Sequence, residues 1–325
     1  PIVAESFTLC VPNKQPTIYQ DPLHYMDAYN DLLLAVRRAS TITPAVRRTK
    51  MKELEQENIE TFKVLPEDMV KELKEKGMDI IIQCAATTSG SKDIVSKPYI
   101  HVTDNAIINS YIFRAAYSFK IKHFIFPSCT VMYPSSKKPT KESDFNGKII
   151  DKYKGAGETK VYLEKIAKFY SMLSDTKFTI IRHSNIYGPH DKYDLDKSHV
   201  FGATITKVMR SKDNLEVWGT GKEIRDFLYA EDLVDFVKKS IQKQKTSYEI
   251  FNCGYGTPVT VKELCEKIVA LSKKDVKIRF NKSKPSIPFD MYLNCSKAKR
   301  LIGWKPKTDL DSGILKTIKW WKANF

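Results

Sequence analysis

Long apolar runs, glycine and paired cysteines are what this 325-residue chain has least of. No apolar stretch approaches the ~20 residues that a membrane span requires. The longest candidates, Ile80-Ile81-Ile82 and Phe124-Ile125-Phe126, have the length of buried strands. A transmembrane segment and a signal peptide are therefore not expected. Glycines number 13, none of them before Gly77, so the N-terminal stretch lacks the residue that turns tightly or approaches a ligand without a Cβ. The six cysteines (Cys10, Cys84, Cys129, Cys253, Cys265 and Cys295) stand far apart and form no C-x-x-C pair. That pattern favours reduced thiols in a cytoplasmic protein over a disulfide framework or a zinc site. Acidic residues are also outnumbered, 38 Asp and Glu against 54 Lys and Arg, for a formal charge of +16.

The charge makes a phosphate-bearing or otherwise anionic partner plausible. The lysines are scattered, with no basic stripe interleaved with aromatics, no zinc-finger spacing and no RNA-binding signature, so neither nucleic acid nor a membrane is expected as partner. What is present is the balance of a globular chain: 42% hydrophobic, 11% aromatic and 28% charged. At this length that suits one large two-lobed α/β subunit or two ordinary domains.

The first sixteen residues show no clean period and read as an arm. A short, half-polar strand is expected at Thr17 to Gln20, a helix at Leu32 to Val36, a strand at Ile42 to Val46, a charged helix at Lys50 to Gln56 and a strand at Ile59 to Val64. Glu67 to Lys76 reads as a helix closed by Gly77, Met78 to Cys84 as a buried strand, Asn105 to Phe119 as a helix and His123 to Pro127 as another buried strand. A helix near Lys160 to Met172, a strand at Phe178 to Ile181 and a polar loop from His183 to about Ser198 follow. Beyond these, shorter elements include helices near Thr204 to Arg210, from Ala230, at Val261 to Leu271 and at Gly313 to Lys322, with strands at Leu215 to Trp218 and Glu249 to Cys253. Short apolar strands alternating with amphipathic helices predict an α/β fold: a doubly wound parallel sheet with helices on both faces, and a smaller C-terminal lobe laid on the sheet's carboxyl edge.

Several motifs carry a family resemblance. Asp79-Ile80-Ile81-Ile82-Gln83-Cys84-Ala85-Ala86 resembles the fourth-strand signature of the extended short-chain dehydrogenase/reductases, and Ser128-Cys129-Thr130-Val131-Met132-Tyr133-Pro134 resembles their active-site strand end. Gly157-Glu158-Thr159-Lys160 falls where the Y-G-x-[ST]-K segment belongs. Arg182 to Asp191, Ser198-His199-Val200, Val217 to Gly221 and Arg225-Asp226-Phe227-Leu228 resemble the nucleotide-sugar branch of that family, nearest the GDP-L-fucose synthases. The resemblance implies a Rossmann-like lobe for NAD or NADP over residues 17–182 and, mainly over 183–325, a lobe for a nucleoside diphosphate sugar, with some elements returning to the first. It also implies hydride transfer in which a tyrosine exchanges the proton, a lysine lowers its pKa and a Ser or Thr polarises the sugar oxygen.

Against that pattern the sequence departs at several positions. Aligning Leu32 to Val36 as the first helix puts Asp21, His24 and Asp27 where the dinucleotide loop has its three glycines. Two carboxylates facing a pyrophosphate would each cost on the order of a few kcal/mol at an effective dielectric near 20. Ala156 stands at the tyrosine position, four residues before Lys160, with Tyr153 and Tyr162 nearby but off register. Cys129 stands at the Ser/Thr position, where Ser128 or Thr130 could substitute only if the strand end shifts. Lys160 alone matches its role. The expectation is a fold that can hold a nucleotide sugar, with NAD(P) bound weakly or not at all and hydride transfer impaired. An active NAD(P)-dependent epimerase or reductase with a non-standard site, or a non-catalytic binding module, are the alternatives.

The remaining candidates each have two readings. Arg47-Arg48 would suit an NADP 2′-phosphate or be an exposed basic pair, and Ala85-Ala86 would border the cofactor. Asp21, His24 and Asp27 could be imagined as metal ligands, but no fourth ligand is identifiable, so no metal is expected. Through the resemblance, Asn185 and His199 would contact the sugar nucleotide. Arg225 would hold its diphosphate or form a salt bridge with a carboxylate such as Asp232. Subunit number stays open; the family commonly pairs helices into dimers, and the resemblance makes the apolar face of the Asn105 to Phe119 helix the candidate surface for a homodimer.

Overall fold

The computed structural model describes residues 8–12, 71, 74–75, 77–86, 94, 96–195, 198–284 and 286–325. The elements expected between Thr17 and Val64 lie outside these residues. The central sheet contains β1 (Thr8–Pro12), β2 (Met78–Gln83), β3 (His123–Pro127), β4 (Lys177–His183) and β9 (Tyr248–Cys253), in that spatial order. β2, β3, β4 and β9 run parallel, as expected of apolar strands linked through helices.

β1 is a correction. Residues 8–12 read as arm, yet they pair antiparallel with β2, Leu9 opposite Ile82 and Val11 opposite Ile80. The register breaks between Val11 and Pro12, where proline has no N–H to give the ladder. A five-residue run ending in proline carries too little periodicity to be seen in sequence, and a sheet edge supplies its partner.

Helices α1 (Thr103–Ser118) and α2 (Lys154–Leu173) pack on one face of the sheet. Phe113 of α1 sits among Phe124, Phe126 and Phe178 with ring centroids 5.0–6.1 Å apart. On the other face α4 (Ala230–Lys243) and α6 (Ser296–Ile302) bury Phe236 and Ile302 against Ile125, Ile181 and Phe251, with Trp304 between them. β5 (Asn185–Tyr187) pairs in parallel with β8 (Phe227–Tyr229), so the expected polar loop after His183 contains a short strand.

The smaller lobe holds the parallel pair β6 (Asn214–Trp218) and β11 (Lys277–Asn281) and the antiparallel pair β7 (Ile224–Arg225) and β10 (Val259–Thr260). α3 (Val200–Arg210), α5 (Val261–Ser272) and α7 (Leu310–Asn324) enclose its core. Thr260 and Glu263 cap α5 reciprocally, Glu263 N–H donating to Thr260 Oγ1 (3.1 Å) and Thr260 N–H to Glu263 Oε2 (2.7 Å). Gly313 of α7 lies against Tyr187, where a Cβ would come within 2.0 Å of the phenol oxygen. Five cysteines, Cys84, Cys129, Cys253, Cys265 and Cys295, are free thiols, and among the described residues no helix is long and apolar enough to cross a membrane.

One buried group sets a pH dependence. His123 is 4% exposed, its Nε2 lies 2.8 Å from Thr179 Oγ1, and Thr179 in turn donates to Gln244 Oε1. Burial, helped by Lys177, pushes the His123 pKa from 6.5 to about 4. A depressed folded pKa gives stability that is present above pH 6.5 and lost as the pH falls towards 4, by up to about 3 kcal/mol. Urea unfolding of His123→Asn should lack this part of the decline between pH 7 and 4; an unchanged slope would show that His123 is not its source.

Candidate functional site

The carboxyl ends of β2, β3 and β4 place the candidate residues. Ala85 is buried and Ala86 half-buried just beyond β2. Beyond β3 the chain turns through Ser128, Cys129 and Thr130, closed by Tyr133 N–H donating to Thr130 O (3.0 Å). Near its start α2 packs closely on the segment before it because Gly157 has no side chain: a Cβ there would meet Ile149 Cγ2 at 2.8 Å. Ala156 lies half-buried one helical turn before Lys160.

Lys160 reaches from α2 to the end of β3, where Nζ donates to Pro127 O (3.0 Å) and stands 4.6 Å from the centroid of the Phe126 ring. Burial pushes its pKa down, while Cys129 and Glu164 pull it back. Cys129 is half-buried beside it; burial raises the thiol pKa and the Lys160 ammonium opposes that rise. Ser128 faces the core, 2% exposed, its hydroxyl donating to Glu164 Oε1 (2.7 Å). Of the three residues at the Ser/Thr position, Ser128 is thus committed elsewhere, and Cys129 and Thr130 remain on the half-buried turn. Tyr153 precedes α2 and packs edge-on against Phe289, ring centroids 5.4 Å apart. Burial raises its pKa, and Arg225 nearby lowers it.

β4 contributes a residue that motif matching missed. His183 Nδ1 lies 2.8 Å from Ser184 O. A carbonyl can only accept, so Nδ1 carries the proton in neutral His183 and Nε2 is the acceptor. Burial lowers its pKa; the Ser184 contact opposes this, and the charges of Lys160 and His199 add to it. The signal was present, a titratable side chain at a strand's carboxyl end directly after Arg182. His199 occupies the N-cap position of α3, exposed and without a side-chain capping bond. Its surroundings, then Lys192 and His101, lower its pKa as well.

Asn185 opens β5 and Arg225 closes β7. Asn185 Nδ2 donates to Asp226 O (3.0 Å). The Arg225 guanidinium donates to three carbonyls: Nη1 to Ile224 O (3.0 Å) and Phe289 O, Nη2 to Ile287 O (3.3 Å). Asp232 accepts instead from the backbone N–H of Lys307 (3.0 Å) and Thr308 (2.9 Å), so a salt bridge between Arg225 and Asp232 is not formed. Buried Asp226 takes the backbone N–H groups of Tyr255 (2.8 Å), Gly256 (3.1 Å) and Leu293 (3.0 Å). Asp21, His24, Asp27, Arg47 and Arg48 lie outside the described residues. Among the described residues, no group of three or more His, Cys, Asp or Glu side chains is placed to hold a metal.

Comparison with known proteins agrees with this architecture. The chain is 26% identical to the GDP-L-colitose synthase of Yersinia pseudotuberculosis over 86% of its own length and 89% of that protein. It is 27% identical to the GDP-L-fucose synthase of Sinorhizobium fredii over 85% of its own length and 86% of the relative. The crystal structure of the UDP-glucose 4-epimerase of Thermotoga maritima with UDP-glucose superposes with a TM-score of 0.70 at 23% identity, over 79% of this chain and 82% of that one. Residues 26–254 match the NAD dependent epimerase/dehydratase family, and the chain belongs to it.

Proposed function

We propose that this protein binds a nucleoside diphosphate sugar at the carboxyl edge of its sheet and does not carry out the tyrosine-dependent hydride transfer of its family. The observation that carries this reading is at α2: position 156 offers a methyl group, and the Lys160 ammonium one turn later is bonded to Pro127 O. A general acid or base needs an ionisable proton within hydrogen-bond reach of the sugar oxygen, and Ala156 has none. Together with Asp21, His24 and Asp27 at the glycine positions, this arrangement does not fit a working nicotinamide site, and no reaction step is assigned to the cofactor.

The sugar-nucleotide half of the site fits better. Arg225 keeps its Nε–H and one Nη2–H outside the three carbonyl contacts seen among the described residues. That free edge suits a phosphate oxygen pair. Asn185 and His199 complete the proposed contacts. The names of the relatives support a GDP-linked sugar, and the epimerase carrying UDP-glucose supports the wider class. In calorimetry a GDP-sugar should bind in the micromolar range, while NADH and NADPH should bind no better than about millimolar because of the charge and bulk at the pyrophosphate position. Micromolar NADH binding would overturn this reading.

One feature favours the alternative of an active enzyme with a non-standard site. His183 keeps Nε2 as an acceptor and feels the charges of Lys160 and His199, so it is a group that could exchange a proton without Tyr153 or a residue at 156.

The reading extends to a homodimer. α1 and α2 expose Ile107 (51%), Phe169 (49%) and Met172 (68%), side chains better covered than left in water. Light scattering should give twice the mass of the chain, and Phe169→Glu with Met172→Glu should give the single-chain mass without loss of GDP-sugar binding. A wild-type monomer would exclude the dimer.

A further inference from the structure

Beneath the site lies a charged cluster that the reading above does not use. Arg182, 4% exposed, meets Glu164, also 4% exposed, along two edges: Nε to Oε1 at 3.1 Å and Nη2 to Oε2 at 2.6 Å. Its third nitrogen, Nη1, donates to Tyr133 Oη (3.0 Å) and Glu142 O (3.2 Å), and the guanidinium stands 5.0 Å from the centroid of the Tyr133 ring. Glu164 Oε1 also accepts the Ser128 hydroxyl (2.7 Å). Tyr133 passes its own proton to Asn252 Oδ1 (2.7 Å), and Asn252 Nδ2 donates to Thr140 O (2.8 Å).

Such a pair is poorly explained by stability alone, because well-packed apolar residues of the same volume would serve as well or better. Fully satisfied, it fixes geometry. Here it fixes both ends of one contact. Glu164 is one helical turn beyond Lys160 on α2, and Ser128 directly follows Pro127, whose carbonyl receives the Lys160 amine. Burial works against the Arg182 guanidinium, yet Glu164 outweighs it and raises its pKa, so the guanidinium keeps its charge.

We propose that Glu164 and Arg182, with Ser128, are positioning residues: they clamp α2 to the ends of β3 and β4 and so hold the Lys160 amine on Pro127 O. The inference rests on Lys160 being part of the site, but it needs neither ligand nor turnover to be tested. Full-length protein is labelled with an amine-reactive acetylating reagent from pH 7 to 10, and the rate at each lysine is read by peptide mass spectrometry.

In the unmodified chain Lys160 should react far more slowly than exposed Lys154. Ser128→Ala and Glu164→Gln should each raise the Lys160 rate about tenfold, as expected for the loss of roughly 1.4 kcal/mol of hydrogen bonding. Lys177, which is bonded to Gln244 O elsewhere, should keep its rate. Ser128→Thr, which retains the hydroxyl, should restore slow labelling. If Glu164→Gln does not fold, Ser128→Ala still decides the matter, since it removes a single hydrogen bond. An unchanged Lys160 rate in folded Ser128→Ala, or a rise shared equally by Lys177, would overturn the proposal. A failure of nucleotide-sugar binding in calorimetry would leave these rates unaffected, so the two readings fail separately.

Discussion

Ala156→Tyr combined with Asp21→Gly, His24→Gly and Asp27→Gly is expected to turn this protein into a nicotinamide-dependent reductase of a nucleoside diphosphate 4-keto sugar. The new phenol would stand one turn before Lys160 on α2, where that lysine can lower its pKa. For this Lys160 must leave Pro127 O, at a cost of about 1 kcal/mol for one hydrogen bond. General acid/base help is worth roughly a hundred- to ten-thousand-fold in rate. It has nothing to act on until a dinucleotide binds, so Ala156→Tyr alone should give no turnover. The assay follows nicotinamide absorbance with GDP-, CDP-, UDP- and dTDP-linked 4-keto sugars. Turnover by the unmodified chain would refute the impaired site, and substitutions at His183, Tyr153, Cys129 and Lys160 would then identify the group that moves the proton.

The largest effect on stability is expected from a single methyl group. In Gly313→Ala the Cβ would lie 2.0 Å from Tyr187 Oη and 2.8 Å from Cζ. Tyr187 cannot step aside easily: it is 1% exposed, its ring centroid is 4.2 Å from that of Phe201 and 5.6 Å from that of Tyr229. Overpacking of this kind costs about 3 kcal/mol, which chemical denaturation would read directly. Among the described residues the Tyr187 hydroxyl is buried with no hydrogen-bond partner. Tyr187→Phe should accordingly be neutral or stabilising, and Gly313→Ala should cost less in that background. A double-mutant cycle showing simple additivity would mean that α7 shifts instead of meeting the ring.

How much of this could be read from the amino acids depended on the range of the interaction. The apolar runs at 78–84, 123–127 and 178–181 became β2, β3 and β4, and the periodic stretches from about 105, 160 and 230 became helices, the second beginning six residues earlier at Lys154, because burial on one face leaves a local pattern. Lys160 and the turn after β3 were visible through their resemblance to family motifs rather than through periodicity. β5 was hidden, since three residues paired with a strand some forty positions later carry no period. The partners of Arg225, the carbonyls of Ile287 and Phe289, lie more than sixty residues away and leave no motif. Glu164 was the hardest to see. Four residues after a lysine on an amphipathic helix, a glutamate has the pattern of a solvated surface charge, and only the fold turns it inward onto Arg182.

The place of β9 in the sheet constrains how the chain can be divided. Phe178 to His183 of β4 form their outer ladder with Tyr248 to Cys253, residues synthesised only after α3, β6 and β7 of the smaller lobe. A fragment ending at His183 would therefore present β4 as a bare edge with six unpaired ladder positions, Phe178, Ile180 and Ile181 among them, which is the surface on which copies of a chain template one another into aggregates. During synthesis the same edge stays open until about residue 253 has emerged, so the sheet cannot close before β5 to β8, α3 and α4 have been made. Excising that lobe as a self-contained binding module would expose the same edge, and a graft of it onto another protein would have to carry β4 along.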